Sequence, residues 1–125
     1  MQLGFGRNRT WWRSLEPSRF ETEVASNLKS RGYIVQVTGR TGDGGVDIRV
    51  TAPDGRRIVI QRKAYQEPVG PGAVRELYGT LVHDGAHEGW LVAHTGFSRA
   101  AHHFADGKPI RLLDVDALIS HSGQF

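Results

Sequence analysis

Two strand-like runs joined through a Pro-Asp-Gly turn constrain this chain more than any other feature. Val46-Asp47-Ile48-Arg49-Val50 alternates apolar and polar residues, so Asp47 faces away from Val46, Ile48 and Val50. Arg57-Ile58-Val59-Ile60-Gln61-Arg62-Lys63 is the second run, and side chains repeating every second residue put Gln61 and Lys63 on one face. Pro53-Asp54-Gly55 between them reads as a hairpin turn. Pairing centred on Asp54 sets Asp47 opposite Gln61, with Lys63 one step along. A two-residue Asp54-Gly55 loop would set Asp47 opposite Arg62 instead and dismantle the cluster. The cluster therefore requires a looser, odd-numbered loop.

The rest of the chain supplies the elements around this hairpin. Residues 1–16 carry Arg7, Arg9, Arg13 and the pair Trp11-Trp12 without clear periodicity, and read as a basic N-terminal arm. Residues 17–125 read as one domain. Pro17 suits a first helical position, for a helix to about Ser30 with Gly32 just beyond it. Tyr33 to Thr38 is a strand, followed by the glycine-rich loop Gly39 to Gly45 and then the hairpin. After the break at Pro68 to Pro71, a helix from about Gly72 to Asp84 carries the stripe Val74, Leu77, Tyr78, Leu81 and Val82. Trp90 to His94 is a strand, Ser98 an N-cap for a helix through Ala105, and Ile110 to Leu113 the last strand. A short closing helix is expected from Asp114 or Asp116. This order describes an α/β domain with a central mixed sheet flanked by helices.

Composition narrows the function. A chain of 125 residues with net charge +3 has an ordinary soluble balance of apolar and charged residues. It has no run long enough to span a membrane and no apolar leader, so a cytoplasmic protein without membrane partners is expected. The absence of cysteine excludes disulfides and thiolate metal sites. Only Lys29, Lys63 and Lys108 are lysines, so the positive charge is mostly arginine, whose fork suits phosphate. That is weak support for a nucleic-acid partner, since many small basic domains share it.

The clustered residues suit phosphodiester hydrolysis. The attacking water must lose a proton, and charge building on phosphate must be stabilised. A hard divalent cation held by oxygens serves both needs, with one or two carboxylates sufficing for Mg²⁺. Asp47 would be the main ligand, with the Gln61 side-chain oxygen and the Arg62 carbonyl as further donors. Lys63 would act on the attacking water or the developing charge. Glu21 lies towards the apolar side of the first helix defined by Phe20, Val24 and Leu28, and could complete the shell through water, whereas Glu23 projects away from that side. Taken alone, Glu21 reads as a partly exposed boundary residue, and the strands as a surface hairpin with solvated polar groups. The glycine-rich loop lacks a P-loop's Lys-Ser/Thr ending, so Gly44 and Gly45 are better read as a sharp turn bringing DNA backbone near Asp47. Arg40, Arg62 and Tyr65 are candidate phosphate contacts, each weighed against plain solvation. The histidines form no convincing metal spacing.

Further residues recur in order around the cluster: Phe20-Glu21, Gly32-Tyr33-x-Val35, Thr38-Gly39-x-Thr41-Gly42-Asp43-Gly44-Gly45-Val46-Asp47-Ile48 and Gln61-x-Lys63-x-Tyr65. Val74-Arg75-Glu76-Leu77-x-Gly79, Leu91-Val92, Gly96-Phe97-Ser98, Ala101 and Phe104-Ala105 follow. Together, over roughly residues 18–118, they make the chain resemble the catalytic domain of Mrr-like restriction endonucleases, within the PD-(D/E)xK nuclease superfamily. The resemblance implies the restriction-endonuclease-like fold, DNA cleavage dependent on Mg²⁺ or Mn²⁺, and catalytic roles for Asp47, Gln61 and Lys63. Glu21 matches the superfamily's first-helix glutamate. Gln61 departs from the superfamily's usual acid, although Gln-x-Lys is common in the Mrr-like branch.

A metal-dependent DNA endonuclease serving restriction or defence is therefore expected. One site per domain implies a homodimer on duplex DNA, and specificity would come from the arm, a separate recognition subunit or DNA structure. The rival readings are a Holliday-junction resolvase and a non-catalytic DNA-binding module that keeps the fold.

Overall fold

The computed structural model describes residues 16–37, 48–63, 67–93 and 95–114. The elements run α1 (Pro17–Lys29), β1 (Ile34–Val37), β2 (Ile48–Thr51), β3 (Arg57–Lys63), α2 (Pro71–Asp84), β4 (Glu88–Ala93), α3 (Arg99–Ala105) and β5 (Ile110–Asp114). The strands form one sheet in the order β1-β2-β3-β4-β5. The first three pair antiparallel, while β3-β4 and β4-β5 pair parallel. This is the mixed sheet that the sequence pattern called for. Among the described residues, no helix is long and apolar enough to cross a membrane.

Each face of the sheet is covered by its own helices. Val24 and Leu28 of α1 pack with Ile48, Val50, Ile58, Ile60, Trp90 and Val92 on one face. On the other, Val74, Leu77 and Leu81 of α2 and Ala101 and Ala105 of α3 pack with Val59, Leu91 and Ala93. Both parallel connections thus cross on the same side, as two right-handed βαβ crossovers must when strand order continues in one direction. Strand β3 lies in the middle and is buried from Ile58 to Lys63. That double coverage accounts for its unbroken Ile-Val-Ile run.

The helix ends follow local chemistry. Pro17 occupies the first turn of α1, and Gly32 leaves that helix at φ +89°. Gly85 ends α2 in the left-handed region at φ +67°, with the Ala86 N–H donating to the Leu81 carbonyl at 2.8 Å. The Ser98 hydroxyl accepts from the Ala101 N–H at 3.1 Å, as expected of an N-cap. The Arg57 guanidinium donates to the Asp84 and Gly85 carbonyls, neutralising the end of α2 and pinning it to the start of β3. Asp114 is the last residue of β5, and the closing helix expected after it lies outside the described residues. Glu23 is paired along the same helix. Its side chain is only 15% exposed and accepts from Arg19 Nε at 3.0 Å, one helical turn away.

Helix α2 packs closely on the sheet at Gly89 of β4. A Cβ built there would lie 2.9 Å from Leu81 Cδ2 and 3.1 Å from Leu77 Cγ. Both leucines are buried among neighbours with little room to move. Gly89→Val is expected to destabilise the domain by about 1–3 kcal/mol through overpacking. Urea unfolding of the variant beside the parent measures it.

Candidate active site at the end of the central strand

The hairpin has the register that the candidate cluster requires. Ile48 pairs with Ile60, Val50 with Ile58 and Thr51 with Arg57. The Ala52 N–H donates to the Arg56 carbonyl at 2.8 Å, closing a three-residue loop of Pro53, Asp54 and Gly55. Asp54 shapes that loop by accepting from the Arg56 N–H at 3.0 Å and from its Nε at 2.8 Å. These bonds to Arg56 hold the Asp54 carboxyl below its ordinary pKa, and the Asp54 carboxylate in turn raises that of Arg56. The odd-numbered loop and pairing about Asp54 are therefore present. Asp47, Arg40, Gly44, Gly45 and Tyr65 lie outside the described residues, as do the arm with Trp11-Trp12 and the side chain of Glu21.

Gln61, Arg62 and Lys63 occupy the last three positions of β3. In the parallel ladder Gln61 partners Leu91, Arg62 partners Val92 and Lys63 partners Ala93. Leu91 and Ala93 belong to the face covered by α2 and α3, and Val92 to the face covered by α1. Gln61 and Lys63 thus share the α2 side, while Arg62 turns to the opposite one. All three are buried, at 4%, 8% and 6% exposure. The reading of this segment as a solvated surface hairpin therefore fails.

Two polar features stand out at this strand end. Gln61 Oε1 is buried and accepts no hydrogen bond from the described residues. Such an orphan oxygen costs on the order of 1–3 kcal/mol unless something else satisfies it. A hard cation, which prefers neutral or anionic oxygen ligands, fits that requirement. The second feature is the Lys63 ammonium, which lies 3.8 Å from Oε1 of Glu76 on α2. Sequence reasoning did not place Glu76 at the site. The available signal was its position beside the apolar stripe of α2, with Gly72, Ala73, Gly79 and Thr80 three and four residues away and so no cation on its own helix to pair with.

The other end of the same sheet face is different. A half-open groove of about 280 Å³ there is lined by Ile34, Gln36, Arg49, Thr51, Arg57 and Asp84, among others. Its cations are already committed: Arg49 Nε donates to Asp84 at 2.7 Å, and Arg57 to the end of α2. His87 is structural here, its Nδ1 accepting from the Arg57 N–H at 2.9 Å. Among the described residues, no three His, Asp or Glu side chains gather as a metal cluster.

The family model Mrr_cat, described as restriction endonuclease, matches residues 12–121. The chain belongs to this restriction endonuclease family. The match runs through the hairpin, the end of β3 and α2 together. The type IV methyl-directed restriction enzyme EcoKMrr of Escherichia coli K12 is 32% identical over an alignment of length 113 that covers 84% of this chain and 37% of that enzyme. The chain thus spans little more than a third of that relative. The solved structure of AF1548, a protein of unknown function, superposes with TM-score 0.66 at 20% identity, covering 88% of this chain and 68% of the other. The DNA modification-dependent restriction endonuclease AspBHI gives TM-score 0.62 at 18% identity, over 95% of this chain and 37% of that one. At such identities these structures establish the shared restriction-endonuclease-like fold.

Gln61→Leu keeps the side-chain volume and removes the orphan oxygen. The metal-free variant is expected to be as stable as the parent or up to about 1 kcal/mol more stable, by the cost of an unsatisfied buried acceptor. Thermal or denaturant unfolding in chelator measures this. A clear loss of stability would mean that the amide is already well satisfied.

Proposed function

We propose that this domain is a divalent-metal-dependent deoxyribonuclease hydrolysing DNA phosphodiester bonds in restriction of foreign DNA. The observation that carries the reading is the burial of Gln61 and Lys63 on one face at the end of β3, with Gln61 Oε1 lacking a donor. Family membership and the hairpin register support it.

In this reading the ladder continues one residue past Ile48, so Asp47 stands opposite Gln61. Asp47, Gln61 Oε1 and the Arg62 carbonyl hold Mg²⁺ or Mn²⁺, and Glu21 supports them through water. The ion supplies Lewis-acid stabilisation of the phosphate and makes the attacking water more acidic. Lys63 directs its ammonium towards the reacting oxygens and stabilises the charge that develops there. Its effect is large because the strand end excludes water and lowers the local dielectric. Gly44, Gly45, Arg40 and Tyr65 approach the DNA backbone. Arg62 contributes through its carbonyl, and its guanidinium is a further candidate phosphate contact.

EcoKMrr is methyl-directed and AspBHI modification-dependent. We extend from them that the substrate is duplex DNA carrying modified bases, read by a separate recognition unit or subunit. Two copies of the domain then act on opposite strands, in the cytoplasm.

Supercoiled plasmid, modified and unmodified, with Mg²⁺ or Mn²⁺ tests the reading. Wild-type protein is expected to nick or linearise it, and chelator to stop cleavage. Asp47→Ala and Lys63→Ala are each expected to slow cleavage by ~100-fold or more, the usual loss on removing a group that stabilises transition-state charge. Cleavage that survives both substitutions would falsify the site. No cleavage of plasmid, modified or branched DNA by the wild type would favour a binding module.

A further inference from the structure

We infer that Glu76 is the positioning residue for Lys63, holding its ammonium at the edge of β3 in the direction from which the scissile phosphate arrives. The inference rests on the nuclease reading above and adds a residue to it. Lys63 has its stem buried on the α2 side of the sheet, with the small Ala93 beside it on β4. A lysine amine on a flexible four-carbon stem needs an external restraint to hold one direction. The Glu76 carboxylate is close enough to supply it, with Oε1 at 3.8 Å from Nζ. That separation exceeds a direct hydrogen bond, so the pull is coulombic and leaves the ammonium able to reach a second oxygen.

Glu76 is free to serve in this way. Its side chain is 72% exposed, so it contributes little to folding, and among the described residues its ion pair is with Lys63 alone. The neighbouring Arg75 is engaged elsewhere, its guanidinium 5.8 Å from the centre of the Phe104 ring. Helix α2 is fixed along its length by Leu77 and Leu81 against the sheet and at its end by Arg57. A carboxylate borne on that helix therefore stands at a defined place relative to β3.

The rival account is that Glu76 is an ordinary rim carboxylate that repels DNA. The two accounts differ in sign. If Glu76 only repels DNA, Glu76→Gln tightens binding and leaves or raises the rate. If it positions Lys63, the same change slows the chemical step. Single-turnover cleavage by Glu76→Gln is expected to fall about ten-fold, within the range for misplacing a reacting group. DNA affinity in chelator should stay equal or become slightly tighter, the melting temperature should not move, and Glu76→Asp should restore most of the rate.

A spectroscopic arm reads the contact without any cleavage. Lys29, Lys63 and Lys108 are the only lysines, so a lysine 13Cε spectrum has three resonances, and Lys63→Arg assigns the relevant one. Glu76→Gln should shift the Lys63 signal and leave that of Lys108, whose ammonium lies 4.1 Å from the Phe104 ring centre, in place. An unmoved Lys63 signal, or a wild-type rate in Glu76→Gln while Lys63→Ala is inactive, would overturn the role of Glu76 alone. Full cleavage by Lys63→Ala would overturn both this role and the site on which it rests.

Discussion

Burial of β3 on both faces is the constraint on which the rest of the structure depends. An antiparallel partner lies on one side of the strand and a parallel partner on the other, and helices cover it above and below. From Ile58 to Ile60 it is paired in two ladders, and its side chains alternate between two cores. A strand so placed is expected to be apolar throughout, and Ile58-Val59-Ile60 obeys. The next three residues do not. Gln61, Arg62 and Lys63 carry an amide, a guanidinium and an ammonium into the same environment. Burying such groups is costly unless partners or a ligand compensate. A fold seldom retains three of them in succession for packing reasons, since well-fitted apolar side chains would be no less stable there.

Helix α2 ties this polar segment to the remainder of the sheet. Its C-terminal carbonyls accept from Arg57 at the start of β3, and Asp84 joins it to Arg49 on β2. Further back, Glu76 reaches Lys63 at the end of β3. One helix therefore meets both ends of the central strand, with Leu77 and Leu81 locked over Gly89 between them. The consequence is mechanical. The Gln61 and Lys63 side chains sit on a regular strand in a close-packed core, where small displacements are resisted. Precise placement of reacting groups is better served there than on a loop.

Much of this arrangement is legible in the sequence because it depends on short-range chemistry. The order of elements, Pro17 at the start of α1, Ser98 as a cap and Gly85 as a stop are local signals. Alternation and turn residues leave two hairpin registers, and the requirement that Asp47 face Gln61 selects the odd-numbered loop about Asp54. Long-range coverage is less legible. Nothing in Gln61-Arg62-Lys63 itself announces burial, and a surface hairpin would carry the same pattern. The opposite directions of Arg62 and Lys63 are given by alternation, but their loss of solvent is not. Glu76 escaped notice for the same reason, because its partner lies 13 residues away on another element.

The amide at position 61 has a physical logic of its own. A glutamate there would give a divalent cation a stronger ligand. In the metal-free protein, however, it would bury an anion at 4% exposure beside the main chain of a central strand. A buried carboxylate costs more to desolvate than an amide oxygen, whose orphaning costs about 1–3 kcal/mol, and it would depend on the Lys63 ammonium on the same face for compensation. In the proposed site, glutamine would lower the desolvation cost of the resting domain at the expense of a weaker grip on the ion. The negative charge that such an ion needs would then come from Asp47, Glu21 and the arriving phosphate. A site built in this way would favour binding metal and DNA together over metal alone, so that the cation is held tightly only when there is a bond to cut.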